Sequence, residues 1–196
     1  IEVFAMVQIL MKPVTSFAQS APGVIMIVFL QNVFYFFGVS GWVFTPVTRS
    51  ITQAAIAENA ELVAAGLAPK NIYAYGFSRY HHIGGQGATL PLALFMLRAK
   101  SKKFRLLGKA TLVPSIFNIN EPIIFGAIAW NPLLMLPMWI QGIILPIVTY
   151  IFTKVIPFAP IPRIQFDLWY CPYPISTFIA TQGSITGVIF AILTFV

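Results

Sequence analysis

Apolar residues fall into long runs along this chain, and the breaks between the runs are rich in proline and glycine. Residues 22–46 are numerous enough for a membrane-spanning helix, because about 20 mostly apolar residues cross a bilayer. Residues 133–156 form a clearer predicted span, and residues 175–196 can also span. Residues 1–11 could be the end of a further helix, which a Lys-Pro pair would interrupt. The pattern predicts an all-α polytopic membrane protein.

A more polar, alanine-rich stretch follows the first predicted span. Residues 49–71 carry Glu58 and Glu61 among alanines, and Gly66 and Pro69 stand where a helix would end. We predict an amphipathic helix here that lies outside the hydrocarbon of the bilayer.

Two segments in the middle of the chain are apolar but too short or too broken to cross a membrane alone. The run from Ala88 to Leu97 follows a glycine-rich turn, so it either joins that turn as a bent span or forms half of a re-entrant hairpin. Residues 107–132 are interrupted by three prolines. Irregular backbone at membrane depth survives only where protein buries it or where it lines a watery cavity. We therefore predict two re-entrant hairpins, followed at 157–174 by a proline-rich stretch with no helical period.

The composition agrees with a membrane protein. The chain has 196 residues, of which 58% are hydrophobic and 9% are charged, and its mean hydropathy is +0.84. Soluble domains usually carry about 25% charged residues. The length allows roughly four to seven spans or half-spans, which is not a full-sized transporter. Because the chain starts at Ile1 without a methionine, we expect it to be part of a longer protein with more membrane helices upstream.

Half of the twelve basic residues lie together between the two predicted hairpins. In a soluble protein such a cluster could bind nucleic acid, but between apolar segments it is typical of a cytoplasmic loop under the positive-inside rule. We therefore predict no nucleic-acid partner, and anionic lipid head groups could also bind here. The cluster consists of Arg98, Lys100, Lys102, Lys103, Arg105 and Lys109.

Glu121 is a single carboxylate inside the apolar stretch "FNINEPIIFG". Charged groups at membrane depth are costly and usually mark a substrate or ion path. The alternative is that this carboxylate is solvated at the interface or caps a helix, since Pro122 suits a first helical turn. Asn118 and Asn120 add amide donors and acceptors, and this combination suits a polyhydroxylated ligand. We expect Glu121, Asn118 and Asn120 to bind substrate.

Glycines and histidines in "HHIGGQGATL" form a second candidate cluster. Gly84, Gly85 and Gly87 allow sharp turns and close approach of a ligand, but they could equally form a patch where helices touch. His81 and His82 are adjacent and do not share a helix face, so we expect no metal site. We include His82 as a polar candidate, although such histidines more often lie at the interface.

We predict that most of the aromatic residues form a belt at the membrane–water interface. Trp169 is the exception, because it lies in the irregular proline-rich stretch, where a ring could stack on a sugar face. Asp167 and Arg163 could pair in the same stretch. We find no P-loop, paired carboxylates or nucleophile–base–acid set, and we predict neither a cofactor nor a bound metal.

Four segments carry a family resemblance. "FYFFGVSG" looks like the motif "WFFGIHG", and "HIGGQGATL" looks like "IGGSGATL". "AKSKKFRLLGKATLVPSIFNINEPIIFG" is very close to a cytoplasmic loop with a "NINEP" signature, and "LWYCPYPISTFIATQGSITG" resembles "WTTPP…GSISG". These motifs belong to enzyme IIC of the bacterial phosphotransferase system, in its lactose/cellobiose (diacetylchitobiose) family, which the chain resembles in order along nearly its whole length.

The resemblance implies a multi-pass protein of the bacterial inner (plasma) membrane that carries a disaccharide or similar oligosaccharide inward. A partner IIB protein, supplied by IIA and HPr, would phosphorylate the sugar from a IIB cysteine. This chain would be the permease component and would not itself supply that cysteine. Residues 1–196 would form one fragment of the IIC domain, its C-terminal sugar-binding half, without the N-terminal helices through which the family dimerises.

Individual residues are also implied by matching position. Glu121 would be the catalytic carboxylate that binds the hydroxyl to be phosphorylated, and Trp169 would stack on the sugar. Tyr35 stands where the family often has a stacking tryptophan, and Ser40 stands where it usually has a histidine near the acceptor hydroxyl. A serine keeps a hydrogen bond but has no group that titrates near neutral pH.

Two other functions fit the residues. An ion- or proton-coupled secondary transporter would use Glu121 as its coupling carboxylate, and its uptake would need a membrane potential but no phosphoryl donor. A non-transporting membrane sensor or scaffold would show no sugar binding.

Overall fold

The computed structural model describes residues 13–195, and this part of the chain is helical without any strand. The predicted helix end at residues 1–11 lies outside the described residues. We number the α-helices of eight or more residues that follow residue 20 in chain order. They are α1 (Ala21–Phe36), α2 (Thr45–Ala64), α3 (Leu90–Leu97), α4 (Lys102–Ile116), α5 (Pro132–Tyr150), α6 (Tyr173–Ala180) and α7 (Ile185–Leu193).

Helix α1 is shorter than the span predicted over residues 22–46. It starts where the Ser20 hydroxyl accepts a hydrogen bond from a backbone N–H of the first turn. It ends because Gly38 adopts a left-handed conformation (φ +79°), after which the Val39 N–H donates to the Phe34 carbonyl. The prediction of one span here was wrong: a glycine stops the helix after 16 residues although apolar side chains continue.

Helix α2 is the predicted amphipathic helix, but its ends differ from the predicted ones. It starts at Thr45, because a proline fits its first turn, and it ends at Ala64. Gly66 stops it in a left-handed conformation (φ +75°), and the Leu67 N–H closes the end on the Leu62 carbonyl. One face is buried against the protein through Ile51, Ala55, Ile56 and Asn59.

Two glycine- or asparagine-containing turns stand where the sequence predicts hairpins. The first turn, residues 84–87, follows a 3₁₀ helix (Phe77–Tyr80) and leads into α3. The second turn, residues 117–120, follows α4 and leads through a helical turn (Glu121–Ile123) into a π-helix (Ile124–Ile128).

Helices α3 and α4 pack closely because Gly108 has no side chain. A Cβ atom there would lie 2.7 Å from the Met96 Cβ atom. The basic cluster was predicted to be a loop, but only its first residues are one. Lys102 begins α4, so the rest of the cluster lies on the first turns of that helix, and all six basic residues are exposed.

Helix α5 covers most of the span predicted at 133–156. Together with a π-helix (Ile151–Val155) it forms a 24-residue segment, which contains an 18-residue stretch with a mean hydropathy of 1.8 and is long and apolar enough to cross a membrane. It is the one helix among the described residues that passes this test. Many of its large apolar side chains are exposed on the protein surface, as a helix that faces lipid requires.

The last predicted span, residues 175–196, is broken into α6 and α7. Gln182 and Gly183 both have a left-handed backbone, with φ of 57° and 87°. The Ser184 hydroxyl then accepts a hydrogen bond from the Gly187 N–H and so starts α7. The prediction of a single span was wrong, because the polar "TQGS" sequence supplies one helix end and the next helix start within four residues.

Candidate functional site

The two predicted turns meet in the middle of the molecule. The Asn118 side-chain oxygen accepts a hydrogen bond from the Gly84 N–H at 3.3 Å, and the Asn120 amide donates to the Gln86 carbonyl at 2.7 Å. Gly85 lets them approach, because a Cβ atom there would lie 2.5 Å from the Asn120 side chain. Both asparagines are buried, so the turns are joined by paired polar groups inside the protein.

Asn118 also holds the proline-rich segment against these turns. Its amide group donates to the carbonyls of Trp169 and Cys171, at 3.2 and 2.9 Å. Its backbone is left-handed (φ 63°), a conformation that asparagine tolerates better than most residues. The hydrogen-bonding atoms of Asn118 are therefore engaged within the protein, and this side chain acts as a clasp between three segments.

Glu121 begins the short helical turn after the second predicted hairpin tip. Pro122 occupies its first turn, so the helix-start alternative and the site alternative are compatible. The carboxylate is half-buried, and its Oε1 atom accepts a hydrogen bond from the indole N–H of Trp42 at 3.1 Å. Its Oε2 atom makes no hydrogen bond within residues 13–195.

Trp42 is a site residue that the sequence analysis missed. Most aromatic residues were predicted to lie in the interfacial belt, and Trp42 was not singled out among them, although it lines a cavity. Its ring lies edge-on to Trp169, with centroids 5.3 Å apart, while its indole nitrogen holds Glu121. These contacts join residues 79 and 127 positions apart in sequence, so only the folded chain reveals them.

Asp167 pairs with Arg49 rather than with Arg163, which corrects the pairing suggested above. The Arg49–Asp167 distance is 3.5 Å, and both side chains are about half exposed. Gln165 also donates to the Asp167 carboxylate. The ion pair links the start of α2 to the segment that carries Trp169.

A cavity of about 240 Å³ lies beside these groups. Seven of the ten residues predicted to bind substrate line it, and they come from four separate parts of the chain. They are Tyr35, His82, Gly85, Asn118, Asn120, Glu121 and Trp169. The wall is mostly apolar with a few polar groups, which is typical of a small-molecule site.

The other three predicted residues lie behind the wall. Ser40 caps the 3₁₀ helix Gly41–Phe44 by accepting the Trp42 backbone N–H at 3.4 Å, and it does not line the cavity. Gly84 and Gly87 have positive φ and make close approaches to Leu90 and Met138. They shape the first turn from behind.

Tyr35 and His82, which both line the cavity, are largely buried. Tyr35 is 3% exposed and packs at an angle to Phe125, with ring centroids 6.5 Å apart. His82 is 8% exposed, and its ring lies edge-on to His81. His81 itself contacts the Thr149 hydroxyl through Nδ1 at 3.1 Å.

Two arginines on the wall were not predicted. Arg49 lies at the start of α2 and Arg79 in the 3₁₀ helix before the histidines, and both line the cavity. Arginine carries no signal of its own at these positions, because the basic cluster dominates the charge pattern of the chain. The cavity thus combines one carboxylate, amide groups, indole rings and two guanidinium groups, a set that can hydrogen-bond and stack on a polar ring compound.

Known proteins are similar to this chain in both sequence and fold. Residues 2–142 match the family model described as "Phosphotransferase system, EIIC". The chain is 42% identical over 123 residues to the lichenan permease IIC component of Bacillus subtilis (strain 168), a match that covers 62% of this chain and 27% of that protein. It is 32% identical over 195 residues to the lactose-specific EIICB component of Streptococcus mutans serotype c, covering 95% of this chain and 32% of that protein.

A solved structure is similar over nearly the whole chain. The transporter ChbC, the IIC component of the N,N′-diacetylchitobiose-specific phosphotransferase system, has a TM-score of 0.87 and 30% sequence identity. The match covers 95% of this chain and 44% of that protein. The chain therefore spans less than half the length of each of these proteins.

Proposed function

This chain belongs to the phosphotransferase system EIIC family, and from that premise we propose that it is the sugar-binding part of a longer membrane permease. The permease crosses the bacterial inner membrane several times, binds an oligosaccharide in the cavity and moves it inward. A IIB partner phosphorylates the sugar during uptake. The observation that carries the proposal is the half-buried Glu121 carboxylate, which faces a cavity walled by indole rings and amide groups.

The relatives support an oligosaccharide as the substrate. Their names specify lichenan, lactose and N,N′-diacetylchitobiose, and the last two are disaccharides. A disaccharide presents many hydroxyl groups and apolar ring faces. Glu121 can accept a hydroxyl hydrogen bond through Oε2, while Trp169, 41% exposed, offers a ring for stacking.

The chemistry assigned to this chain is positioning. In phosphoryl transfer the protein supplies little covalent chemistry, and the rate depends on alignment of the attacking hydroxyl with the phosphoryl donor. Trp42 holds Oε1 of Glu121, so the carboxylate presents Oε2 in a defined direction. Asn118 and Asn120 act indirectly. Their amide groups fix the turn that leads to Glu121 and the segment that carries Trp169.

The proposed partners follow from the family. One relative is an EIICB component, whose name joins IIC to IIB, and we propose a IIB protein as the phosphoryl donor here, with IIA and HPr upstream. The exposed apolar surface of α5 faces lipid, and the basic residues at the start of α4 lie at the cytoplasmic face, in contact with anionic head groups. The longer protein forms a homodimer through helices outside this chain.

Glu121→Gln tests the proposal in the longer protein that contains this chain. We expect phosphorylation of the sugar by IIB to fall at least about 100-fold, because an amide cannot accept or direct the hydroxyl proton as a carboxylate does. Phosphorylated sugar is measured in vesicles supplied with the phosphoryl donor, and sugar binding is measured separately. Glu61→Gln is the matched control, since this glutamate is exposed on α2 away from the cavity, and it should behave like the wild type.

The same assay separates the other functions. If Glu121→Gln leaves both binding and phosphorylation unchanged, the role of Glu121 is wrong. Uptake that needs a membrane potential but no phosphoryl donor would identify a secondary transporter. A protein that binds no sugar at all would fit a sensor or scaffold.

A further inference from the structure

We propose that Arg79 and Arg49, beside Tyr75, form an anion subsite in the cavity, and that the preferred sugar carries a carboxylate there, as a uronic acid residue does. The inference rests on the proposed function, because it names the class of sugar that the permease binds. The relatives named above do not assign a role to either arginine.

Arg79 is a buried cation without a carboxylate partner. Its residue surface is 4% exposed, and its guanidinium group donates to the carbonyls of Ser176 and Phe166. The guanidinium carbon lies 5.5 Å from the Tyr75 ring centre and 5.1 Å from that of Phe166. Within residues 13–195 the ion pairs are Arg49–Asp167 and Lys70–Glu58, so no carboxylate lies within ion-pair distance of Arg79.

The charge of Arg79 is the feature that needs a cause. The two carbonyl groups and the rings of Tyr75 and Phe166 favour a cation here, but none of them carries a full negative charge. Asp167 acts on this charge from beyond ion-pair distance, and a buried charge without a counter-charge in direct contact is unfavourable in a protein interior. Because Arg79 lines the cavity, an anionic group on the ligand can supply the counter-charge.

Arg49 brings a second guanidinium group to the same end of the cavity. Its guanidinium carbon lies 5.8 Å from the Tyr75 ring centre, so both cations approach one ring. Its contact with Asp167 is long, at 3.5 Å, and about half exposed, which makes it a weak pair that can rearrange. An anion beside Tyr75 would therefore interact with both arginines.

The geometry favours an anion that the substrate brings, rather than the phosphoryl group that it gains. The phosphoryl group forms on the hydroxyl held by Glu121, and neither arginine is within ion-pair distance of Glu121. We therefore place the anion on another part of the sugar, and a comparison with a sugar phosphate tests that placement. A guanidinium group offers a planar fork of N–H donors that fits the two oxygens of a carboxylate.

Wild-type protein alone gives the first test. The longer protein is purified in nanodiscs, and binding is measured by calorimetry for three ligands: cellobiose, cellobiose with C6 of the reducing-end glucose oxidised to a carboxylate, and cellobiose 6′-phosphate. We expect the carboxylate form to bind at least about tenfold more tightly than cellobiose at low salt, because hydrogen bonds to charged groups are the stronger ones. This advantage should shrink as sodium chloride is added.

Variants then locate the effect. Arg79→Gln should bring the two affinities to within about threefold of each other, and this ratio, rather than the affinity for cellobiose itself, is the quantity that the variant tests. Arg49→Gln changes an exposed residue and should partly reduce the preference for the carboxylate form over cellobiose. This variant still tests the subsite if the Arg79 variant does not fold. Arg98→Gln removes the same charge from an exposed position outside the cavity and should keep the full advantage.

The outcomes separate the two proposals. Equal wild-type affinity for cellobiose and its carboxylate form would overturn the anion subsite and leave the proposed function standing. An arginine-dependent gain for the 6′-phosphate that exceeds the gain for the carboxylate would overturn the uronic acid assignment. Binding of none of the three ligands, and of neither lactose nor N,N′-diacetylchitobiose, would overturn the proposed function itself.

Discussion

Two buried asparagines clasp distant parts of this chain, and only one of them lies at the cavity. Asn59, near the end of α2, accepts hydrogen bonds from the backbone N–H groups of Lys70 and Asn71 and donates to the carbonyls of Asn71 and Pro162. Asn118 makes the same kind of contacts to the first turn and the proline-rich segment. The Asn59 clasp is 0% exposed and lines no part of the cavity.

The difference between them comes from what the clasped segments carry. Asn59 holds Lys70, which pairs with Glu58 at 2.6 Å on the surface, and this segment reaches the cavity wall only further on, at Tyr73. The segments held by Asn118 carry Trp169 and the turn that leads to Glu121. A buried asparagine by itself therefore indicates a structural junction, and a site is indicated only when charged and aromatic groups face a cavity beside it.

The largest expected difference is between Asn118→Ala and Asn59→Ala. Each change leaves buried main-chain groups without partners, which should lower the free energy of unfolding by about 1–3 kcal/mol. Asn118→Ala should also weaken sugar binding at least about tenfold, because Trp169 and the second turn lose their common support. Asn59→Ala should leave binding within about twofold of wild type. Thermal unfolding and sugar calorimetry on both variants check this, and equal binding losses would erase the distinction between the clasps.

A smaller effect is expected when the stacking ring itself is removed. Trp169→Ala should weaken sugar binding by about five- to tenfold, since a lost aromatic contact costs on the order of 1 kcal/mol or more. Trp130, which is 67% exposed and outside the cavity, is the matched control, and Trp130→Ala should not change the affinity. Wild-type affinity in the Trp169 variant would show that the segment held by Asn118 does not contact the sugar.

The smallest effect is expected at the Asn59 clasp, as a dependence on pH. Hydrogen bonds from Lys70 and then Asn71 lower the pKa of Glu58 from its ordinary value of 4.5. A lowered folded-state pKa means that the pair stabilises the fold above pH 4.5, and that this contribution is lost as the pH falls through the folded-state pKa. The melting temperature of Glu58→Gln should be slightly below wild type at pH 6, and the two should converge as the pH falls through the lowered pKa of Glu58. A gap that stays constant with pH would rule out this titration.

The sequence predicts the turns that meet at the cavity better than it predicts the helix ends. "NINEP" and "IGGQGATL" pointed to two turns, and the structure brings those turns together around Glu121. By contrast, the spans predicted at 22–46 and 175–196 are both interrupted. Gly38 and Gly183 turn the backbone left-handed, and an apolar run gives no sign of whether a glycine in it will be helical or will end the helix.

The amino-acid sequence by itself determined that this protein is α-helical and apolar, and that α5 is long and apolar enough to cross a membrane. It also determined that α2 is amphipathic and that Glu121 is the candidate carboxylate for substrate binding. These follow from local patterns and short motifs, which a one-dimensional chain records directly. Tertiary structure alone decided that Trp42 holds Glu121 and that Asp167 pairs with Arg49. It also decided that Arg79 lies buried at the cavity wall, where no carboxylate among residues 13–195 is within ion-pair distance. The physical reason is that hydrogen bonds and charges act over a few ångströms in space, between residues that can be any distance apart along the chain.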